Sequence, residues 1–198
     1  PGVCRARQHI SRLSIGFEEC NWCGFHNSTF VFFSRSTFAK QKNVATQGTL
    51  YLVVVEGVLV LDLPPGTGDI QLTIVQTVAL DGAVIVTTPQ EIARIDARKA
   101  INMFAKVNVR ILGLIENMSW FECDHGTRYH LFGDGGGERE AERLKVPLLA
   151  QIPIDPETRQ RCDEGEPVAL LDGSKSSIAA AFEQAAEQLP IIPAHEQS

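Results

Sequence analysis

Almost uninterrupted apolar runs recur along this chain, and they decide what it can fold into. Val58–Leu63, Gly82–Thr87 and the runs at 110–115 and 148–152 are too apolar for strands with one face in water. Such Val/Ile/Leu-rich segments belong to strands buried on both faces, as in a parallel sheet. Tyr51–Val55 has the same texture and is divided from Val58–Leu63 by Gly57. Between the runs lie helix signals. Asp69 can N-cap a helix over 70–78, and Pro89 opens another reaching about Val107, with Ile92, Ile95, Ala100 and Phe104 near one face. A short charged helix follows a glycine run at 138–144, one or two turns are expected at 156–162, and Ser174 caps a last helix over 177–189. Strands alternating with helices predict an α/β fold, a doubly wound, mainly parallel sheet with helices on both faces. There is no internal repeat, and the tail IIPAHEQS at 191–198 reads as loose.

The first fifty residues have a different texture. They hold six Lys/Arg but only Glu18 and Glu19 as acids, and six of the ten Phe, in a chain with 18 basic and 24 acidic side chains overall. FEECNWCGFHNSTFVFFSRSTFAKQKN keeps no sustained period; FVFF is a strand candidate with little support from its flanks. A boundary therefore falls at 48–51, with 1–50 an atypical basic segment, either a poorly packed extension or a piece foreign to the rest, and 51–190 the folded unit. The net charge of −6 argues against a nucleic-acid-coating protein. No apolar run is long enough to span a bilayer, and PGVCRARQHI is no signal peptide. Five scattered Cys suit a reducing, cytosol-like compartment, or an organelle matrix or stroma.

VLVLDLPPGTGD, residues 58–69, carries the chemistry. An apolar strand ending in one acid puts Asp62 at the carboxyl edge of the sheet, where open α/β sheets bind ligands. A carboxylate there can hold hydrated Mg²⁺. Pro65, Gly66, Thr67 and Gly68 follow, and backbone N–H groups at the two glycines can approach a terminal phosphate. The plain structural alternative is a strand-to-helix turn capped by Asp69.

DLPPGTGDIQLT, GAVIVTTPQEIARIDARKAINMF, RILGLIENMSWF, FGDGGGERE and PLLAQIPIDP, in this order, resemble the Mrp/Nbp (ApbC-like) family of ParA/MinD-like P-loop ATPases, carriers of iron–sulfur clusters to apoproteins. The resemblance covers residues 58–168. It implies a homodimer, ATP with Mg²⁺ at the sheet edge, a 4Fe–4S cluster between two subunits, apo iron–sulfur proteins as recipients, and neither nucleic acid nor membrane as partner. It also implies residue roles. Asp62 matches the acid that holds Mg²⁺ through water. Gly66, Gly68 and Asp69 fall in the loop facing the terminal phosphate, with Pro65 and Thr67 beside them. Asn117 matches an asparagine that reads adenine, its alternative being a strand-end Asn bonded to loop backbone. Pro153 and Asp155 match a segment lining the base, the alternative being a turn with Asp155 capping the next helix.

Two departures qualify the resemblance. No G-x-x-x-x-G-K-[ST] loop occurs. Lys175 in DGSKS lacks the preceding strand and spaced glycine and reads as part of a helix cap. The chain thus resembles the later portion of such an ATPase, without its first strand and phosphate loop, and is expected to hydrolyse ATP negligibly on its own. Second, where family members often carry C-x-x-C, this chain has Cys123 followed by Asp124 and His125. Cys123 matches the first thiol; its alternative is a loop thiol, and Asp124 or His125 is a further candidate ligand. Cys20-x-x-Cys23 has no second pair and reads as accidental; Cys4 and Cys162 read as inert and His130 as a loop histidine. The run from Gly133 to Gly137 reads as a tight turn, since Glu138 and Glu140 would repel an anion. The competing functional class is a ParA/MinD-like positioning ATPase or a non-catalytic interaction module, but it would need a basic patch or an amphipathic tail.

Overall fold

The structure, a computed structural model, describes residues 30–35, 51–55, 58–63, 69–77, 80–164, 168 and 176–189. Seven strands form one sheet: β1 Phe30–Arg35, β2 Tyr51–Val55, β3 Val58–Leu63, β4 Gly82–Thr87, β5 Ile111–Glu122, β6 Arg128–Tyr129 and β7 Leu148–Ile154. The helices are α1 Asp69–Thr77, α2 Glu91–Lys106, α3 Gly136–Leu144, α4 Pro156–Asp163 and α5 Ser177–Gln188. The order across the sheet is β2-β3-β1-β4-β5, after which β6 and β7 both pair with β5. β4 and β7 run parallel to β5. β3 shares their direction, because β1 is antiparallel to both β3 and β4. The four apolar runs therefore point their carboxyl ends at one edge, as the mainly parallel α/β reading expects.

FVFF forms the core of β1, which fills the slot between β3 and β4. Its register, Phe30 with Leu63 and Arg35 with Val58, reverses its direction. The chain leaving β1 after Arg35 is thus at the edge opposite the carboxyl ends of β3 and β4.

Apolar side chains cover both faces. On one, Val84, Val86, Leu112, Leu149 and Ile152 of the strands pack with Ile178 of α5; on the other, Leu61 and Ile85 pack with Val75 of α1 and Ala97, Ile101 and Phe104 of α2. Neighbouring strands interlock by size. A Cβ on Gly82 would lie 2.5 Å from Leu112, and one on Gly113 would lie 2.5 Å from Leu149. The two leucines occupy the room the glycines leave.

Four local expectations need correction. The buried face of α2 is Ala93, Ala97, Ala100, Ile101 and Phe104, while Ile92 is 63% and Ile95 38% exposed. Small alanines let the helix lie close to the sheet, which turns the two isoleucines outward. The third parallel strand extends to Glu122, because β6 and the end of β7 pair with its last residues. α3 begins at Gly136, two residues before the expected start. The cap of α5 is Ser176, whose hydroxyl accepts from the Ala179 N–H at 3.3 Å, and Ser174 lies outside the described residues.

A buried charge clasps α2 to α3. Glu140 is 1% exposed. The Arg98 Nε donates to both its oxygens, at 3.2 and 3.0 Å, and Nη2 donates at 2.8 Å. Arg143 adds a second guanidinium, and Arg98 also reaches Glu91 at 2.9 Å. Burial pushes the Glu140 carboxyl up, but the hydrogen bonds and charges of Arg98 and Arg143 more than reverse this and hold it below the usual carboxylate range. A depressed carboxyl contributes stability that is present above its unfolded-state pKa and is lost as pH falls through the folded one. Urea titrations should therefore show the chain losing stability more steeply than Glu140→Gln as pH drops below about 4.3, the ordinary glutamate value. Parallel losses in both proteins would refute the clasp. At neutral pH, Arg98→Ala should cost roughly 3 kcal/mol, most of it from a buried carboxylate left with one partner.

Candidate functional site

Among the described residues, the carboxyl edge of the sheet holds Asp62 of β3, Asn117 of β5, and Pro153 and Asp155 at the end of β7. Asp62 is the penultimate residue of β3, in register with Val31 of β1 and Tyr51 of β2. Asp69 is the first residue of α1. Pro65, Gly66, Thr67 and Gly68 lie outside the described residues. At the end of β4, Thr88 is 4% exposed, and its hydroxyl has no partner among the described residues.

β5 contributes a buried carboxylate that sequence reasoning passed over. Glu116 is 1% exposed. Its Oε2 accepts the backbone N–H of Gly137, and its Oε1 accepts from the Gln151 amide at 3.0 Å. The glycine run allows this docking. A Cβ on Gly137 would lie 2.8 Å from the Glu116 Cβ, and one on Gly136 would lie 2.5 Å from the Pro89 carbonyl oxygen. Gly135, at φ +62, turns the chain into the helix. The N-terminus of α3 thus receives an internal anion, where its unpaired N–H groups and dipole favour one. The signal was in the sequence: an acid inside the apolar run ILGLIEN needs donors, and a glycine-rich helix start supplies them.

Next to Glu116 the strand is irregular. Asn117 pairs with Ile152 and Phe121 with Ile154, so β5 takes four steps where β7 takes two. Met118 absorbs the excess at φ +57. The Asn117 Oδ1 accepts the Met118 N–H at 2.9 Å, and the Ser119 hydroxyl donates to the Glu116 carbonyl at 2.9 Å. Bulges of this kind re-aim side chains at the end of a sheet. Asn117 is 7% exposed, and among the described residues its amide nitrogen has no acceptor.

Pro153 and Asp155, at the end of β7, border a cavity of about 380 Å³ with Trp120, Arg128, Arg161 and Ser176. That is within the size of small-ligand sites. Asp155 also caps α4, accepting from the Thr158 N–H at 2.7 Å and its hydroxyl at 2.6 Å. Asn117 is not part of this lining, though it pairs with the residue preceding Pro153. The Arg128 guanidinium lies 4.7 Å from the centre of the Trp120 ring and bonds Glu122 at 2.8 Å.

Beyond the bulge, β5 turns back at Cys123 into β6. The Cys123 N–H donates to the Thr127 carbonyl at 3.0 Å, and the Gly126 N–H donates to the Cys123 carbonyl at 2.8 Å. The thiol is half-buried, and the backbone N–H groups of His125 and Thr127 hold its pKa below the usual thiol value. Asp124 and His125 are exposed on the same turn. His130 is an exposed loop residue with Nδ1 3.2 Å from the Ser119 carbonyl oxygen. No group of three or more potential metal ligands occurs among the described residues. Cys4, Cys20 and Cys23 lie outside them.

Removing the Glu116 carboxylate tests this architecture. Glu116→Ala strands two buried donors, each costing about 1–3 kcal/mol. Chemical denaturation should show a loss of roughly 3 kcal/mol. Glu116→Gln should lose less, because Gln151 can turn its amide to match. Equal losses would mean that the carboxylate is not what holds α3.

Known proteins share much of this chain. The family model described as ParA, NUBPL iron-transfer P-loop NTPase, matches residues 55–190. An iron–sulfur cluster carrier protein of Pseudomonas fragi is 50% identical over 129 residues, 65% of this chain and 45% of that protein. One from Aquifex aeolicus is 47% identical over 125 residues, 63% of this chain and 34% of that protein. The chain therefore spans less than half the length of these curated relatives. Among solved structures, an Archaeoglobus fulgidus nucleotide-binding protein in complex with ADP, with cobalt found in it, superposes with a TM-score of 0.52 at 36% identity. That match covers 67% of this chain and 51% of the other.

Proposed function

The chain belongs to the ParA-type iron-transfer P-loop NTPase family, and we propose that it carries an iron–sulfur cluster and delivers it to apoproteins. The observation that carries this reading is 50% identity to a cluster carrier over 129 residues, a stretch long enough to include both the sheet edge and the Cys123 turn. The cluster is cargo. Cys123 is its thiolate ligand, since a thiol whose pKa is held down by backbone N–H groups is more readily ionised. One such thiol per chain calls for a second chain. A 4Fe–4S cluster then sits on a dyad, with Cys123 from each copy and Asp124 and His125 as candidates for the remaining positions.

In the same reading, the carboxyl edge takes the base of ATP. The features that fit are the Asn117 amide, the cavity beside Pro153 and Asp155, and the orphaned Thr88 hydroxyl. Asp62, near the end of β3, is the residue proposed to hold hydrated Mg²⁺. Asp69, Pro65, Gly66, Thr67 and Gly68 belong to the segment facing the phosphates. The phosphate end fits less well. The sequence has no lysine-bearing loop, and the strand between β3 and β4 leaves at the opposite edge. Phosphoryl transfer depends on such charges and N–H groups, so nucleotide binding is proposed here without hydrolysis.

Anaerobic reconstitution with iron and sulfide should give a broad visible absorption band on a species that sediments as a dimer. Cys123→Ser should weaken the band several-fold and return the protein toward monomer. A band untouched by that substitution would reject Cys123 as the ligand; no band at all would reject cluster carriage. Separately, ATP turnover with Mg²⁺ should stay at background. Turnover abolished by Asp62→Ala would overturn the assignment of binding without hydrolysis.

A further inference from the structure

Asn117 lies in β5 and Cys123 directly follows its last residue, with the bulge between them. We propose that the Asn117–Met118 junction is a joint: the side-chain tie from Asn117 to the Met118 N–H sets the pose of the hairpin at 120–129, and a ligand that engages the Asn117 amide changes that pose and the exposure of the Cys123 thiol. This rests on the nucleotide reading above and adds to it a route from base to cargo.

Four observations converge on the junction. Met118 adopts φ +57, a backbone region that side chains other than glycine rarely occupy without support. The Asn117 Oδ1, at 2.9 Å from the Met118 nitrogen, supplies that support. Both arms of the hairpin are fixed to the bulge. Ser119 is anchored on the incoming side through the Glu116 carbonyl at 2.9 Å, and on the outgoing side the His130 ring meets the Ser119 carbonyl at 3.2 Å. Beyond the bulge the hairpin is held to the sheet by the Phe121–Ile154 pairing, and its own strands pair only at Phe121–Tyr129 and Glu122–Arg128. Below the bulge, Glu116 is tied to α3 and β7. A clamped strand, a left-handed residue and a lightly attached hairpin thus follow one another within a few residues. The Asn117 amide makes the tie through its oxygen. A base that bonds that oxygen shares it with Met118, and one that rotates the amide to meet its nitrogen withdraws the acceptor from Met118. Trp120, beneath the Arg128 guanidinium, moves with the hairpin and reports on it.

Hydrogen exchange on the full chain tests the joint. In the wild type, the Met118 amide should exchange together with residues 121–127, as one unit that opens more readily than residues 112–116. Exchange of Met118 with the strand core instead would overturn the proposal. Asn117→Ala should raise hairpin exchange and the alkylation rate of Cys123, resolved by peptide mass spectrometry, about fivefold, the effect of one lost hydrogen bond. Asn117→Asp keeps an acceptor and should leave both at wild-type rates. Asn117→Ala matching the wild type would overturn the proposal. ADP, with its binding measured separately by equilibrium dialysis, should change the Cys123 alkylation rate and the Trp120 emission of a Trp22→Phe chain. ADP that binds without either change refutes the joint. ADP that does not bind refutes the nucleotide reading and the ligand half of the proposal with it, while the exchange measurements still decide whether the tie sets the hairpin.

Discussion

A carboxylate inside a strand organises the carboxyl edge of this sheet. Burying Glu116 costs several kcal/mol unless its oxygens find donors, and they find them on two different elements. The Gly137 N–H belongs to α3 and the Gln151 amide to β7. One side chain therefore fixes a helix end and a neighbouring strand against β5. The helix supplies more than a single N–H, because its first turn presents several unpaired donors and the positive end of its dipole. With an internal anion already seated there, that N-terminus is not a receptor for a foreign phosphate. Gly136 and Gly137 are what this contact requires, since a Cβ at either would strike Pro89 or Glu116.

With β5 anchored in this way, the rest of the edge divides into two halves with different completeness. The half built from β5 and β7 carries Asn117, Pro153 and Asp155, and the last two border a cavity. The half built from β3 and β4 carries Asp62 and the Thr88 hydroxyl, which has no partner among the described residues. Between those two strands β1 runs against the common direction, so Arg35 at its end lies at the opposite edge, in register with Val58. Under the nucleotide reading, base recognition and phosphate recognition are separable, because the residues proposed for them lie on different strands. A site can keep the first without the second.

The sheet and its direction were legible in the sequence because a strand buried on both faces has almost no compositional freedom. Val58–Leu63 and Gly82–Thr87 match the predicted bounds. The face of α2 was misjudged because size was weighed over fit. Ala93 and Ala97 face the core since only small side chains let a helix approach that closely, and Ile92 and Ile95 were left outside. The length of β5 was hidden because its final residues are polar and owe their extended form to partners remote in sequence, Tyr129 and Ile154. Asp155 was legible as a cap from its place before Pro156-Glu157, and it caps α4. Glu116 was missed because a lone acid in an apolar run reads as an anomaly until the donors that satisfy it are known.

The chemistry of Cys123 suits the proposed cargo better than a permanent metal centre would. Backbone N–H groups from His125 and Thr127 favour the thiolate and hold the thiol pKa below its usual value. The same groups lower the basicity of the sulfur, and a less basic thiolate is a weaker nucleophile and a better leaving group in exchange. A structural site gains from strong donors crowded on rigid elements. A carrier gains from a few ionised donors on an exposed turn, where an incoming thiolate from a recipient can reach the metal and displace them. The turn at 123–127 has these properties: it is exposed around a half-buried sulfur and follows a bulged strand that beyond its bulge pairs with β7 at Phe121–Ile154. Under the carrier reading, weak attachment of the hairpin and weak basicity of its sulfur serve the same end, since both lower the barrier to handing the cluster on.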